Sequence, residues 1–310
     1  MNLLALENDL VKTKFHRAPF QLKHTLADHP LFKLPRLIEL ARSMPRDRIE
    51  YSSGKVAVDQ RPDDIPQIDL PAEEVIRTIE ECNAWMVIKG VESDPEYRDL
   101  LHRFLGEVST AAGDDVEPFS DLQAFLFVSS AGSTTPFHID AEENILVQIR
   151  GDKFVHIFDN GDRSLIAEEA MEISPSKHRN QAYDKSFEDR AEVFSLKAGD
   201  AVHIPYMWPH WVRTGKDYTI SIAMTWKTPM VLRLNKIRLM NGTMRRFSLP
   251  QMPPGEAPFV DGAKVFAHDA ARAVIDPLRK SESARRFLRG LIYGRKANYY
   301  YGKDEKREGA

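Results

Sequence analysis

The chain has 310 residues, of which 42% are hydrophobic and 29% are charged, and its formal net charge is −3. This composition is ordinary for a globular protein, so it excludes a largely disordered chain, while the length allows one elaborated domain or two. The near balance of acidic and basic residues argues against a protein that mainly neutralises a phosphate backbone, and we expect no nucleic-acid partner.

Cysteine content and apolar runs indicate the compartment. Cys82 is the only cysteine, which excludes an internal disulfide and favours a reducing compartment. The first ten residues lack the cationic and apolar pattern of a signal peptide, and no run approaches the ~20 apolar residues that a membrane-spanning helix needs. We therefore expect a soluble cytoplasmic protein with no membrane partner.

Residues 1–84 predict an N-terminal arm and helix that cover the rest of the molecule. Prolines interrupt any long helix here, so short elements are expected. They are Pro19, Pro30, Pro35, Pro45, Pro62, Pro66 and Pro71. The last of them opens a helix, because acids occupy its first turn and Val75, Ile76 and Ile79 share one face.

Residues 85–228 predict the core of the protein. Trp85-Met-Val-Ile is a short apolar run typical of a buried strand, and a helix is expected from Asp94 or Pro95 to Val108. From Leu122 the pattern changes to short strands separated by turn residues, as in an antiparallel barrel. The expected strands are Gln123–Ser129, Asn144–Arg150, Lys153–Phe158, Glu192–Leu196, Ala201–Ile204 and Thr219–Thr225.

Two segments lie outside this regular pattern. Residues 159–190 are polar with few apolar anchors, so we expect a long, mobile insertion over the barrel mouth, where substrate contact is common. Residues 229–310 predict a C-terminal helical extension, and residues 277–310 contain ten Lys and Arg against four acids. This basic tail is either a solvated face or part of a contact between two copies of the chain.

The segment Thr134-Thr-Pro-Phe-His138-Ile-Asp140 carries the first candidate metal ligands. In an extended chain, residues i and i+2 point the same way, so His138 and Asp140 can converge on one ion. His210, at the start of a later strand, is the third candidate. Two imidazoles and one carboxylate on one face of an octahedral ion leave the opposite positions open, as non-haem Fe(II) oxygenases require. Because a His-x-Asp sequence also occurs by chance, the alternative is that these are core or surface histidines. His203 is a further possible ligand.

Two motifs resemble the JmjC and cupin-like 2-oxoglutarate oxygenases. In the first, Thr135-Pro-Phe-His-Ile-Asp140 is followed by Asn144, by Gln-Ile-Arg-Gly and by Lys153. The second is Ile204-Pro-Tyr-Met-Trp-Pro-His210. The resemblance extends from about Trp85 to Trp226 and is closest to the branch containing the asparaginyl hydroxylase that acts on hypoxia-inducible factor. It implies a fold that is mainly β with flanking helices, a double-stranded β-helix of the jelly-roll or cupin type.

The resemblance assigns the site residue by residue. His138, Asp140 and His210 would be the catalytic Fe(II) ligands, and His203 would not be a ligand. Lys153 would pair with the distal carboxylate of 2-oxoglutarate, Thr135 would hydrogen-bond the same group, and Asn144 would lie beside the co-substrate and iron.

The residues themselves support the role of Lys153. An ammonium that points inward from the start of a barrel strand needs an anion, although a surface lysine after a Gly-Asp turn is the alternative. Other branches use an arginine about ten residues beyond the distal histidine, where this chain has Ile220. The family's contact on the last barrel strand would fall on Met224 or Thr225.

The activity implied is that of a 2-oxoglutarate-dependent dioxygenase, a hydroxylase acting on a C–H bond of a protein residue or a small metabolite. Its partners would be 2-oxoglutarate, O₂ and an unidentified substrate, and a homodimer could form through the C-terminal helices. Two alternatives remain: a cupin enzyme that does not use 2-oxoglutarate, and a non-enzymatic cupin-like protein that senses a ligand or assists transcription.

Overall fold

A computed structural model describes residues 2–5, 8–60, 64–113, 116–176 and 180–278. The chain divides into two compact units, Met1–Leu232 and Arg233–Ala310. The basic tail expected near the C-terminus lies outside the described residues from position 279 onward. Within the ranges given, none of the helices is both long and apolar enough to cross a membrane.

The described strands of the first unit form two antiparallel sheets. They are β1 (Leu4–Ala5), β2 (Phe20–His24), β3 (Ile49–Ser53), β4 (Ala84–Lys89), β5 (Ser120–Ser129), β6 (Thr134–His138), β7 (Glu143–Arg150), β8 (Lys153–Ile157), β9 (Glu192–Leu196), β10 (Asp200–Ile204), β11 (His210–Thr214) and β12 (Thr219–Lys227). The larger sheet has the order β1-β2-β10-β7-β12-β5-β4-β3, and the smaller has the order β6-β11-β8-β9. Each strand predicted from the sequence is present, with ends that differ by at most three residues.

The two sheets face each other across an interior that is apolar in part. The buried residues that fill it come from both sheets: Leu146, Val155, Ile157, Phe194, Leu196, Val202, Ile204, Val212 and Ala223. The outer face of the larger sheet packs on helices, because Leu37, Ile76 and Phe104 belong to the same core as residues of β5, β7 and β12. The predicted fold class, mainly β with flanking helices in a cupin-type barrel, is confirmed.

The helices described in the first unit lie mostly before the barrel. They are α1 (Asn8–Lys14), α2 (Leu34–Ser43), α3 (Ala72–Arg77), α4 (Pro95–Ala112) and α5 (Glu168–Ile173). In α4, Pro95 stands where a missing N–H costs nothing, and the Asp94 side chain caps the helix by accepting a hydrogen bond from the backbone N–H of Glu96. The helix ends at Gly113, which has a positive φ of 99°.

Strand alternation separates the side chains that face the interior of the barrel from those that face the helices. On β12, Ala223 faces the interior while Met224 and Trp226 belong to the core on the helix side. Ser221 and Thr225 therefore share the inner face with Ala223. By the same rule, Asn144 faces inward with Leu146 on β7.

The turn between β7 and β8 fixes where Lys153 begins its strand. Gly151 has a φ of 71°, and a Cβ at this position would lie 2.6 Å from the carbonyl oxygen of Tyr218. Only glycine fits such a turn, which accounts for the Arg-Gly-Asp-Lys sequence there. Lys153 then points inward on the same face as Val155 and Ile157.

The expectation of few apolar anchors in residues 159–190 is wrong for the described part of that segment. Leu165, Ile166 and Met171 are buried. The segment also bonds the chain beside His138, because the backbone N–H of Gln181 donates to the carbonyl of Phe137 at 2.7 Å. The insertion is thus docked next to the first candidate ligand, and its mobility stays a prediction.

The second unit contains most of α6 (Pro229–Arg245) together with α7 (Pro258–Leu278). An ion pair of 2.8 Å joins Lys236 to Asp269. Both helices lie in the segment after Pro229 for which a helical extension is expected, and the rest of that extension lies outside the described residues. On α7, Phe259 and Phe266 are 91% and 76% exposed, so one face of this helix carries large apolar side chains in contact with solvent.

Candidate metal centre

His138, Asp140 and His210 come together at one end of the barrel. His138 ends β6 and His210 begins β11, and the two are direct partners across these antiparallel strands. Their ring centroids lie 4.1 Å apart. Oδ2 of Asp140 lies 3.9 Å from Nε2 of His138 and 3.6 Å from Nε2 of His210. Because all three ligand atoms lie within 4.8 Å of one another, the side chains form a triad that could hold one metal ion.

Backbone carbonyls select the tautomer of both histidines. Nδ1 of His138 lies 2.7 Å from the carbonyl oxygen of Pro136, and Nδ1 of His210 lies 2.9 Å from that of Trp208. A carbonyl only accepts hydrogen bonds, so each Nδ1 carries the proton and each Nε2 keeps its lone pair. This orientation of both rings through the second nitrogen is characteristic of histidines that bind metals.

The turn before His210 is tied to the loop that contains Asp140. Met207 has a φ of 60°, an uncommon backbone conformation for a residue with a side chain. Its N–H donates to the carbonyl oxygen of Asp140 at 2.9 Å. This bond joins the two ligand-bearing segments, so the strained residue helps to fix the distance between Asp140 and His210.

Lys153 is buried inside the barrel, with 4% of its surface exposed. Its ammonium donates to Oγ of Ser221 and lies 5.4 Å from the ring centroid of Phe127. Among the residues that the structure describes, Lys153 makes no ion pair. Burial without a countercharge lowers the pKa of Lys153 to about 7.

Polar side chains line the rest of the inner face. Asn144 and Thr225 are directly opposite each other on β7 and β12. Oδ1 of Asn144 and Oγ1 of Thr225 are both buried without a hydrogen-bond partner, and such groups call for a ligand or ordered water. Met224 faces the helices instead, so of the two residues considered for the last strand, Thr225 is the one that lies inside the barrel.

Thr135 reaches the same compartment from β6. Nε1 of Trp85 donates to Oγ1 of Thr135 at 2.9 Å, and the Trp85 ring lies 6.0 Å from the ring of Phe127. Phe127 thus lies close both to the ammonium of Lys153 and to the Trp85 ring that binds Thr135.

His203 lies on the opposite face of the larger sheet, away from the triad. Its Nε2 lies 3.0 Å from Oε2 of Glu143, and Nδ1 of His16 lies 3.0 Å from the other carboxylate oxygen. Burial alone would raise the pKa of Glu143, but the hydrogen bonds from these histidines outweigh it and hold the pKa at about 2. Phe15 stacks on His203 at 5.1 Å, so this cluster fastens the N-terminal arm to the sheet.

Sequence reasoning missed Ser221, Trp85 and the cluster around Glu143. Strand alternation could have placed Ser221 on the same face as Thr225. The contacts of Trp85 and Glu143 depend on residues 50 and 127 positions away along the chain, and no local pattern in the sequence signals them.

An antiparallel double-sheet barrel with two histidines and an aspartate converging at one end defines a cupin-type metal site. The chain belongs to the family described as "Cupin-like domain", whose model matches residues 67–230. The predicted kinship with JmjC and cupin-like proteins is confirmed at this level, and the asparaginyl hydroxylase branch stays a prediction. No curated protein sequence matches the chain significantly.

Solved structures of YcfD from E. coli are similar to the chain. One covers 93% of this chain and 72% of YcfD, with 14% identity and a TM-score of 0.50. A second structure is described as a ribosomal oxygenase in complex with cobalt and 2-oxoglutarate. The match covers 87% of this chain and 68% of YcfD, with 14% identity and a TM-score of 0.49. A third structure contains cobalt and succinic acid, and the match covers 94% of this chain and 72% of YcfD, with 14% identity and a TM-score of 0.46. At this identity the likeness concerns the fold alone.

Proposed function

We propose that the chain is an Fe(II)- and 2-oxoglutarate-dependent oxygenase that hydroxylates a C–H bond of a protein residue or a small metabolite. The observation that carries this proposal is the pairing of a His-Asp-His triad with a buried lysine that has no acidic partner in the described chain. Both features lie on the inner surface of one barrel. A metal ion alone would explain the triad, but it would leave the charge of Lys153 unexplained.

The donor set fits Fe(II). Two neutral imidazoles and one carboxylate on one side of the ion match the facial arrangement used for oxygen chemistry. The triad offers no thiolate and no third histidine, so it differs from structural zinc sites. When bound, Fe(II) and 2-oxoglutarate supply the oxidising chemistry, with succinate and CO₂ as co-products.

The residues of the chain bind and orient the reactants. His138, Asp140 and His210 hold the metal, and Asn144 and Thr225 present unsatisfied polar atoms on the inner face. Lys153 provides the positive charge for the far carboxylate of the co-substrate, and Thr135, which is bound by Trp85, offers a hydroxyl group to the same carboxylate. The apolar side chains around them exclude water, which strengthens these electrostatic contacts.

Anaerobic reconstitution tests metal and co-substrate together. We expect that adding Fe(II) and then 2-oxoglutarate produces the weak visible charge-transfer band of the chelate, and that admitting O₂ yields succinate slowly without any further substrate. Fe(II) binding without the band would instead support a cupin enzyme that does not use 2-oxoglutarate. Failure to bind Fe(II) would contradict the proposal and favour a non-enzymatic ligand sensor.

We also propose that two copies of the chain pair through α7. Phe259, Phe266 and Val274 are 91%, 76% and 66% exposed and follow helical spacing, with exposed alanines between them. Large apolar side chains grouped on one exposed helix face are typical of interaction sites. Two copies can bury the same stripe against each other in a twofold dimer, since small residues between the phenylalanines allow close approach.

Sedimentation velocity checks the proposed pairing. Replacing Phe259 and Phe266 with serine should convert a dimer into a monomer, because each copy loses two large apolar contacts of roughly 1.5–3 kcal/mol each. The matched control is Phe247→Ser, which changes an equally exposed phenylalanine outside α7 and should leave the dimer intact. A monomeric unmodified protein, or equal disruption by Phe247→Ser, would contradict pairing through α7.

A further inference from the structure

The far end of the barrel interior contains a hydroxyl group whose proton is unused. Ser221 is fully buried, and its oxygen accepts a hydrogen bond from the ammonium of Lys153. An ammonium has only protons to give, so the serine oxygen is the acceptor in this bond. The hydroxyl proton of Ser221 remains available for a second bond, because the hydroxyl donates to no acceptor within the described chain.

Thr135 is in the same situation. The indole N–H of Trp85 can only donate, so at 2.9 Å the oxygen of Thr135 is the acceptor. The hydroxyl proton of Thr135 is therefore also available for a second hydrogen bond. The hydroxyl oxygens of Ser221 and Thr135 thus each accept a hydrogen bond, from Lys153 and from Trp85, and each hydroxyl has a proton left to donate.

Phe127 shows that these groups surround one space. Phe127 is the direct partner of Ser221 across β5 and β12. The ammonium of Lys153 lies 5.4 Å from the centre of its ring, and the ring of Trp85, which holds Thr135, lies 6.0 Å away. One ammonium and two hydroxyl donors therefore lie around the inner side of this phenylalanine.

From this arrangement we infer that Ser221 is a further co-substrate-binding residue, which donates a hydrogen bond directly to the far carboxylate of a 2-oxo diacid beside Lys153 and Thr135. The inference rests on the proposed function and adds a residue to it. A carboxylate offers about four acceptor positions and no proton, so it matches a site built only of donors. An alcohol or a ketone would satisfy the hydroxyl groups but would leave the charge of Lys153 without a partner.

Two ligands of equal chain length measure the contribution of the far carboxylate to binding. Both 2-oxoglutarate and 2-oxopentanoate carry the 2-oxo acid group, but only 2-oxoglutarate has the far carboxylate. We expect calorimetric titration of the Co(II)-loaded protein under argon to give much tighter binding of 2-oxoglutarate. Ser221→Ala should weaken 2-oxoglutarate about tenfold to a hundredfold, the usual loss for a hydrogen bond to a charged group. Its affinity for 2-oxopentanoate should stay unchanged.

The matched control is Ser130→Ala, which removes another buried serine hydroxyl, one that donates to the backbone carbonyl of Ile79, and should not change either affinity. A second comparison separates direct contact from an effect through Lys153. If Ser221 donates to the ligand, Ser221→Ala still weakens 2-oxoglutarate binding in a Lys153→Met background.

The possible failures are distinguishable. Equal binding of the two probes by the unmodified protein would remove 2-oxoglutarate as co-substrate and with it the proposed function. A clear preference for 2-oxoglutarate in the unmodified protein, together with an unchanged affinity for 2-oxoglutarate in Ser221→Ala, would overturn only the role of Ser221. If Ser221→Ala weakens 2-oxoglutarate binding in the unmodified background but not in the Lys153→Met background, Ser221 acts only by positioning Lys153. That result would also contradict direct donation.

Discussion

Replacing His138, Asp140 or His210 with alanine is expected to abolish stoichiometric Fe(II) binding while the protein stays folded. Each residue contributes one ligand atom to a cluster whose members lie within 4.8 Å of one another, and two ligands alone hold a divalent ion weakly. The barrel interior is filled by aliphatic side chains from both sheets and does not depend on the triad. Metal content after anaerobic reconstitution, measured by mass spectrometry, checks the loss, and far-ultraviolet circular dichroism checks the fold.

His203→Gln provides the contrast, because it changes a histidine of the same region that faces the other side of the sheet. We expect it to bind a full equivalent of Fe(II). Glutamine keeps a donor for Glu143, whose carboxylate is charged at neutral pH because its pKa is about 2. His203→Ala should also bind the metal but should unfold at a lower temperature, since a buried carboxylate loses one of its two partners. Loss of iron in His203→Gln with retention in His210→Ala would show that the distal ligand is assigned wrongly.

The sequence predicts the parts of this site that depend on local pattern. His138 and Asp140 converge because residues two apart in an extended chain share a face, and that rule needs no knowledge of the fold. The inward direction of Lys153 follows from the alternation of β8. The fold class is predictable for the same reason, since strands of five to ten residues with turn residues between them carry a period that the sequence displays.

The parts that the sequence does not predict depend on long-range register. Lys153 meets Ser221 across 68 positions, and only the pairing of distant strands determines which residue stands beside the ammonium. The docking of residues 159–190 is not predictable from local pattern, because α5 has only six residues. In so short a helix, one buried side chain such as Met171 produces no visible periodicity. The strands β2 and β3 of the N-terminal arm are not predicted either, because the prolines around them indicate only short elements of unspecified type.

The buried charge of Lys153 destabilises the folded protein but is proposed to bind 2-oxoglutarate. Replacing Lys153 should therefore raise or preserve stability while it lowers the affinity for 2-oxoglutarate. The folded protein buries an ammonium that the unfolded chain exposes to water, which is why its pKa falls from 10.5 to about 7. Between these two pH values the unfolded chain binds the extra proton, so the stability of the protein without co-substrate should rise with pH across this window. Lys153→Met removes the buried charge and keeps the apolar stem, so this variant should be at least as stable as the unmodified protein near pH 7.

Binding of 2-oxoglutarate by Lys153→Met should be weaker by about a hundredfold to several thousandfold, because one member of a buried charge pair is missing. In the unmodified protein, the affinity should be greatest below pH 7, where Lys153 is already charged, and should fall about tenfold per pH unit above it, since binding then requires uptake of a proton. Calorimetric titration of the Co(II)-loaded protein between pH 6 and pH 9 measures both effects, and subtracting the pH profile of Lys153→Met removes contributions from the metal ligands. A lysine with only a structural role would give the reverse result: Lys153→Met would melt at a lower temperature and bind 2-oxoglutarate with unchanged affinity and unchanged pH dependence.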